Sequence, residues 1–159
     1  HISGILYLGW LGGYFFSLRA LPNGAWWTML SLGLVMLVDL GAYAVGLKFG
    51  KHKMFPRLSP RKSWEGYAGG VLFGVGFGAL FGWVLKPVMP ELAVWEGAIL
   101  GLVIGVLAPF GDLFVSMLKR IAGVKDSGTL IPGHGGILDR VDTWIWAVML
   151  GYYLAQLFS

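Results

Sequence analysis

Four carboxylates stand where an apolar membrane helix would not carry them. Asp39 lies inside a long apolar run, Asp112 near the inner end of another, and Asp142 opens a third, with Asp139 three residues before it. A charged side chain at the bilayer centre costs about 2.5–3.5 kcal/mol on insertion scales, so such groups face a bundle interior or a wet cavity. Asp39 has a plainer role open to it, an interhelical hydrogen bond or ion pair. Asp139 and Asp142 have one too, as caps on the free N–H groups of the last helix. Asp112 has the weakest plain role, because an acid toward a helix C-terminus opposes the macrodipole. It calls for a cation beside it.

The stretch from Ser116 to Asp142 carries Lys119, Arg120, Lys125 and Arg140 beside Asp126, Asp139 and Asp142, with His134 set in a Gly133-His134-Gly135-Gly136 turn. Holding a polyphosphate between positive groups and a carboxylate-bound divalent ion is what phosphoryl or nucleotidyl transfer requires. A basic loop alone would only satisfy membrane topology or attract anionic lipid head groups. The interleaved acids would weaken that attraction, and they suit Mg²⁺ with its oxygen ligands. Asp126 is open among three roles: a ligand, a base or ribose contact to a nucleotide, or an ion-pair partner of Lys125. His134 either touches a phosphate or is an exposed loop residue, and His52 reads as solvated.

Elements must position these residues, and composition says which kind. Of 159 residues 57% are hydrophobic and 13% charged, against about 45–50% and about 25% in soluble domains. The mean hydropathy of +0.72 agrees. A soluble or disordered chain is excluded, and the absence of Cys excludes disulfides and thiolate chemistry. Charge-free windows over 2–18, 20–38, 66–85, 97–111 and 143–159 predict an all-α, polytopic bundle of about five spanning helices in one membrane-embedded domain, 1–159. Ten of the twelve Lys and Arg residues fall after the second and fourth windows. Both stretches then share the cytoplasmic side, forming two catalytic loops, while turns at 19–25 and 86–95 face outward. The chain opens on His1 with no charged segment ahead of an apolar one. No signal peptide is therefore expected, and the chain is expected to be part of something longer.

Gly66, Gly70, Gly74, Gly78 and Gly82 recur every fourth residue, as do Gly97, Gly101 and Gly105. They read as close-packing faces rather than a phosphate loop, since no Lys-Ser/Thr follows them. A homodimer through these faces is a further expectation. Trp64, Trp83, Trp95 and Trp144 read as interface anchors.

Ser116 to Asp142 resembles the signature of the phosphatidate cytidylyltransferases (CDP-diacylglycerol synthases): S-x-x-K-R, four spacers, K-D, then H-G-G-x-x-D-R-x-D. Three other stretches resemble family blocks: Asp39 to Gly46, Leu58 to Gly66 with Ser63 in place of Thr, and Gly111-Asp112-Leu113. The resemblance covers roughly Gly4 to Tyr153, and family members carry further N-terminal transmembrane helices. It implies condensation of CTP with phosphatidic acid to CDP-diacylglycerol and diphosphate, with Mg²⁺ and, left open, a monovalent cation. It also implies a multi-pass protein of a bacterial-type cytoplasmic membrane, with its site on the cytoplasmic face and no nucleic-acid partner. Under this resemblance Asp112 and Asp139 are metal ligands, and Asp142 is a ligand or its neighbour. Lys119, Arg120, Lys125 and Arg140 bind triphosphate and lipid phosphate. Ser59, Lys62, Ser116, His134, Gly135 and Gly136 contribute to substrate binding, Asp126 keeps its open role at the catalytic centre, and Asp39 is an intramembrane polar site.

The chemistry needs no strong base, because the second ionisation of a phosphate monoester has a pKa of about 6. Two alternatives compete. A CTP-dependent lipid kinase of the dolichol-kinase type would release CDP in place of diphosphate. An ion-coupled transporter would place its ionisable groups near the midplane between broken helices, whereas most charge here lies in the two loops.

Overall fold

The computed structural model describes residues 7–56, 59–121 and 138–158, with the backbone alone for 7, 8, 60, 61 and 138–140. Among these, five α-helices and one small hairpin follow in order. A π-helical turn, Tyr7–Leu11, leads into α1, Gly12–Ala20. Next come α2, Gly24–Phe49, and strands β1, Lys53–Phe55, and β2, Ser59–Ser63. Helices α3, Trp64–Val84, α4, Val94–Ile121, and α5, Leu138–Phe158, complete the bundle. Helix α3 packs between α2 and α4, and α5 closes the bundle against α4, α2 and α1.

Helices α2, α3 and α4 are long and apolar enough to cross a membrane. Their outward surface is apolar, with Leu47, Leu72 and Trp83 about two-thirds exposed, as a lipid-facing wall requires. Helix α1 contributes nine residues, short of the roughly 17–25 a span needs, so the first predicted window reaches span length only with residues outside those described. Helix α5 has 21 residues.

Two boundaries differ from expectation. The fourth helix runs on to Ile121, so Ser116, Lys119 and Arg120 stand on its last turns rather than in a loop. Lys119 and Arg120 there complement the negative end of the macrodipole. The fifth is helical already at Leu138, so Asp142 lies at least one turn inside it rather than at its opening. The hairpin is a third departure. β1 and β2 pair antiparallel, Lys53 opposite Ser63 and Phe55 opposite Ser59, inside what reads from sequence as a basic loop.

The helix ends sort as the charge pattern requires. On the outer side, Asn23 Nδ2 donates to Glu91 Oε1 at 2.5 Å, joining the two turns predicted to face outward. Asn23 adopts a left-handed φ of 54°, a conformation Asn tolerates better than most residues. Glu96 Oε2 accepts from Ala93 N–H at 2.8 Å, half of a capping box at the start of α4. On the inner side, Ser63 caps α3, its Oγ accepting from Gly66 N–H at 3.2 Å.

The glycine faces pack as expected, inside the chain. Gly74 meets the Gly101 backbone and Gly78 that of Gly97, so close that no Cβ would fit at any of the four. Gly66 and Gly70 lie against Ala42 and Val38 of α2. These glycines are buried, which leaves the face expected to join a homodimer without room for a second copy. Trp64, Trp83 and Trp95 are exposed near helix ends, as interface anchors would be, but Trp144 packs against the core.

Candidate active site

Four elements bring the charged side chains together at the inner end. Asp39 comes from α2, Lys62 from the end of β2, Asp112 and Lys119 from α4, and Asp142 from α5. Lys62 is the cation that Asp112 called for: its Nζ lies 2.5 Å from Asp112 Oδ2, with both side chains about one-third exposed. The same ammonium donates to the Pro109 carbonyl at 3.4 Å. The Asp142 carboxyl reaches Asp112 within hydrogen-bonding distance, and Lys119 lies near enough for its charge to act on Asp142. Asp39 feels the charges of both Lys62 and Asp112. Three acids and two lysines, far apart in sequence, thus form one cluster.

Local sequence explains the convergence. Gly111 precedes Asp112, and a Cβ there would lie 2.8 Å from the Asp142 carbonyl and against the Trp146 ring. Only the missing side chain lets α5 approach closely enough to bring the two acids together. Asp142 Oδ1 also accepts from the Thr143 N–H at 2.7 Å, and Asp142 is 4% exposed. On α4, Pro109 supplies no N–H to the Gly105 carbonyl four residues earlier, which weakens the ladder at that turn. The Tyr67 hydroxyl donates to the Val106 carbonyl at 2.9 Å. Lys62 is fixed at its backbone by the hairpin and by Ser63, the next residue, which caps α3. Trp64 N–H donates to the His52 carbonyl at 3.0 Å, and His52 Nδ1 pairs with Glu65 at 2.5 Å. His52 is exposed, as expected of a solvated residue, and it also ties the hairpin to α3.

Beside the cluster lies a cavity of about 710 Å³ between the inner halves of α2, α3 and α4. Asp39, Lys53 and Lys62 supply its charge, and Leu47, Phe110 and Leu113 its apolar wall. Pockets of this size take small-molecule ligands.

Among the described residues no group of three His, Cys, Asp or Glu side chains is spaced to hold a metal ion. Two carboxyl groups in contact across facing helices nevertheless fit a hard divalent cation, since Mg²⁺ is commonly held by one or two carboxylates with substrate phosphates completing its shell. Of the other expected site residues, Ser59 lies in β2 opposite Phe55. Ser116 and Arg120 lie on the α4 turns below Asp112. Lys125, Asp126, His134, Gly135 and Gly136 lie outside the described residues, and Asp139 and Arg140 are described as helical backbone only. Sequence reasoning left Tyr67 and Pro109 unremarked; a Pro within a charge-free window was the available signal.

An all-α membrane bundle with its acids and lysines gathered at one end defines an integral membrane protein with a polar site at one end of its helices. More particularly, the chain belongs to the cytidylyltransferase family, whose model matches residues 2–158. It is 43% identical over 120 residues to a phosphatidate cytidylyltransferase of Mycobacterium bovis, covering 76% of this chain and 38% of that protein. A Synechocystis enzyme of the same name is 44% identical over 138 residues, 86% of this chain and 45% of its own length. One from Bacillus subtilis is 37% identical over 155 residues, 97% and 56% respectively. The chain thus spans between about a third and somewhat over half of these relatives.

Proposed function

We propose that the protein containing this chain is a phosphatidate cytidylyltransferase of a bacterial-type cytoplasmic membrane, with its site on the cytoplasmic face and Mg²⁺ as cofactor. The observation that carries the reading is the Asp39–Lys62–Asp112–Asp142–Lys119 cluster beside a half-apolar cavity. One substrate is a lipid phosphate and the other a triphosphate, so a site with an apolar wall next to acids and lysines suits both.

In this reading an oxygen of the phosphatidic acid phosphate, already ionised near neutral pH, attacks the α-phosphorus of CTP. A new P–O bond forms as the bond to the bridging oxygen of the β-phosphate breaks, and that electron pair leaves with diphosphate. Catalysis then rests on alignment and charge neutralisation. Asp112 and Asp142, with Asp139, would hold Mg²⁺, which when bound neutralises phosphate charge. Lys53 and Lys62 orient the lipid phosphate at the cavity. Lys119 and Arg120, with Lys125 and Arg140 beyond them, hold the triphosphate, and the apolar wall excludes water from the α-phosphorus.

The test is product analysis: purified full-length protein with CTP, Mg²⁺ and phosphatidic acid releases diphosphate and CDP-lipid in equal amounts. Release of CDP with a phosphorylated lipid, as a CTP-dependent kinase would give, overturns the reading.

A further inference from the structure

Lys62 stands on the boundary between the acid cluster and the cavity. Its ammonium is paired with Asp112 and bonded to the Pro109 carbonyl, yet the same side chain lines the cavity with Lys53 and Asp39. Its backbone is held on both sides, by the β1–β2 ladder and by the Ser63 cap of α3. Only its stem is free to move, and a lysine stem has four carbons of reach and a rotatable head.

The acids around it explain its position. Asp112 has Asp142 in contact on one side and Asp39 within Coulombic reach on another. Like charges so placed repel strongly unless a cation lies among them. Lys62 supplies that cation here. A divalent ion on Asp112 and Asp142 would compete with the ammonium for the same carboxylate oxygen and repel it. The nearest place for the displaced head is the cavity.

We infer that Lys62 is an exchangeable counter-ion of the acid cluster: it holds Asp112 until a divalent cation arrives, then turns into the cavity to bind a phosphate monoester there. Lys62 is thereby a positioning residue that couples metal binding to lipid-phosphate binding. The inference rests on the reading that the site takes a divalent ion and a lipid phosphate, and it adds the order in which charge is exchanged between them.

The experiment titrates purified full-length protein in detergent with Mn²⁺ alone, following free Mn²⁺ by electron paramagnetic resonance. Lys62→Met binds Mn²⁺ on the order of tenfold tighter than wild type, within the usual range of site-to-site coupling, while Lys62→Arg stays near wild type. Lys62→Gln, which keeps a hydrogen bond without the charge, tightens binding similarly and serves if the Met variant does not fold. A short-chain phosphatidic acid tightens Mn²⁺ binding by a larger factor in wild type than in Lys62→Gln. A merely structural lysine would move neither quantity. Unchanged or weaker Mn²⁺ affinity in the uncharged variants, an equal lipid factor in both proteins, or no Mn²⁺ binding at all overturns the inference. Diphosphate release from the same preparations reports separately on the cytidylyl-transfer reading.

Discussion

The outer and inner halves of the α3–α4 pair use the same residue and end in opposite shapes. In the outer half, Gly74 and Gly78 bring the α3 backbone onto Gly101 and Gly97 of α4. In the inner half, Gly66 and Gly70 pack on the α2 backbone at Ala42 and Val38, and Gly105 on Val71 of α3, but here a cavity opens beside the contacts. Glycine admits a neighbouring backbone in both places, and only at the inner end does a cavity lie next to that contact. Outside, nothing lies between the helices. Inside, carbonyls of the α4 turn around Pro109 accept from Tyr67 and Lys62, and the β1–β2 hairpin carries Lys62 to that turn. One end fastens the bundle and the other gathers its charged side chains beside a cavity.

That contrast can be broken in graded steps. The largest effect is expected from removing divalent metal: chelation abolishes diphosphate release, and restored Mg²⁺ recovers it, with the thermal midpoint in detergent little changed. Gly101→Leu attacks the outer fastening. Its side chain would drive into the Gly74 backbone, so a stability loss at or above the roughly 1–3 kcal/mol of ordinary overpacking is expected, read as a fall in thermal midpoint. Gly111→Ala attacks the inner end more gently. Moving α5 off Asp112 lowers turnover by about 10- to 100-fold, since small misplacements cost up to about 10²-fold, with a smaller shift in midpoint. Asn23→Ala sharpens the comparison from the other side. Losing the exposed bond to Glu91 costs about 0.5–1.5 kcal/mol and leaves turnover unchanged.

Much of the bundle is legible in the sequence because bilayer physics leaves few choices. The charge-free windows locate the helices, and the two basic stretches place the ends of α2 and α4 on one side, as the Lys62–Asp112 pair requires. The 19–25 and 86–95 turns meet through Asn23 and Glu91. Helix ends near charges were less legible. Lys119 and Arg120 read as loop because charge marks the edge of a span, yet a helix continues past the hydrocarbon when its last turn carries cations. The hairpin was illegible for a related reason: Lys53–Phe55 and Ser59–Ser63 are too short to show periodicity, and pairing with each other defines them. At the site, the sequence singled out Asp39, Lys62, Asp112, Lys119 and Asp142 individually. It could not show Asp39 and Lys62 joining the same cluster, because they are brought there by the α2–α3 and α3–α4 glycine contacts rather than by any local motif.

The central claim is that the acid cluster at the inner end serves the proposed chemistry and contributes little to holding the bundle together. Asp112→Asn tests it most directly, with diphosphate release and thermal midpoint measured on one preparation. The account predicts a loss of at least about 100-fold in turnover, the scale on which removing one preorganised electrostatic group acts, with the midpoint within a few degrees of wild type. Full turnover in that variant would contradict it.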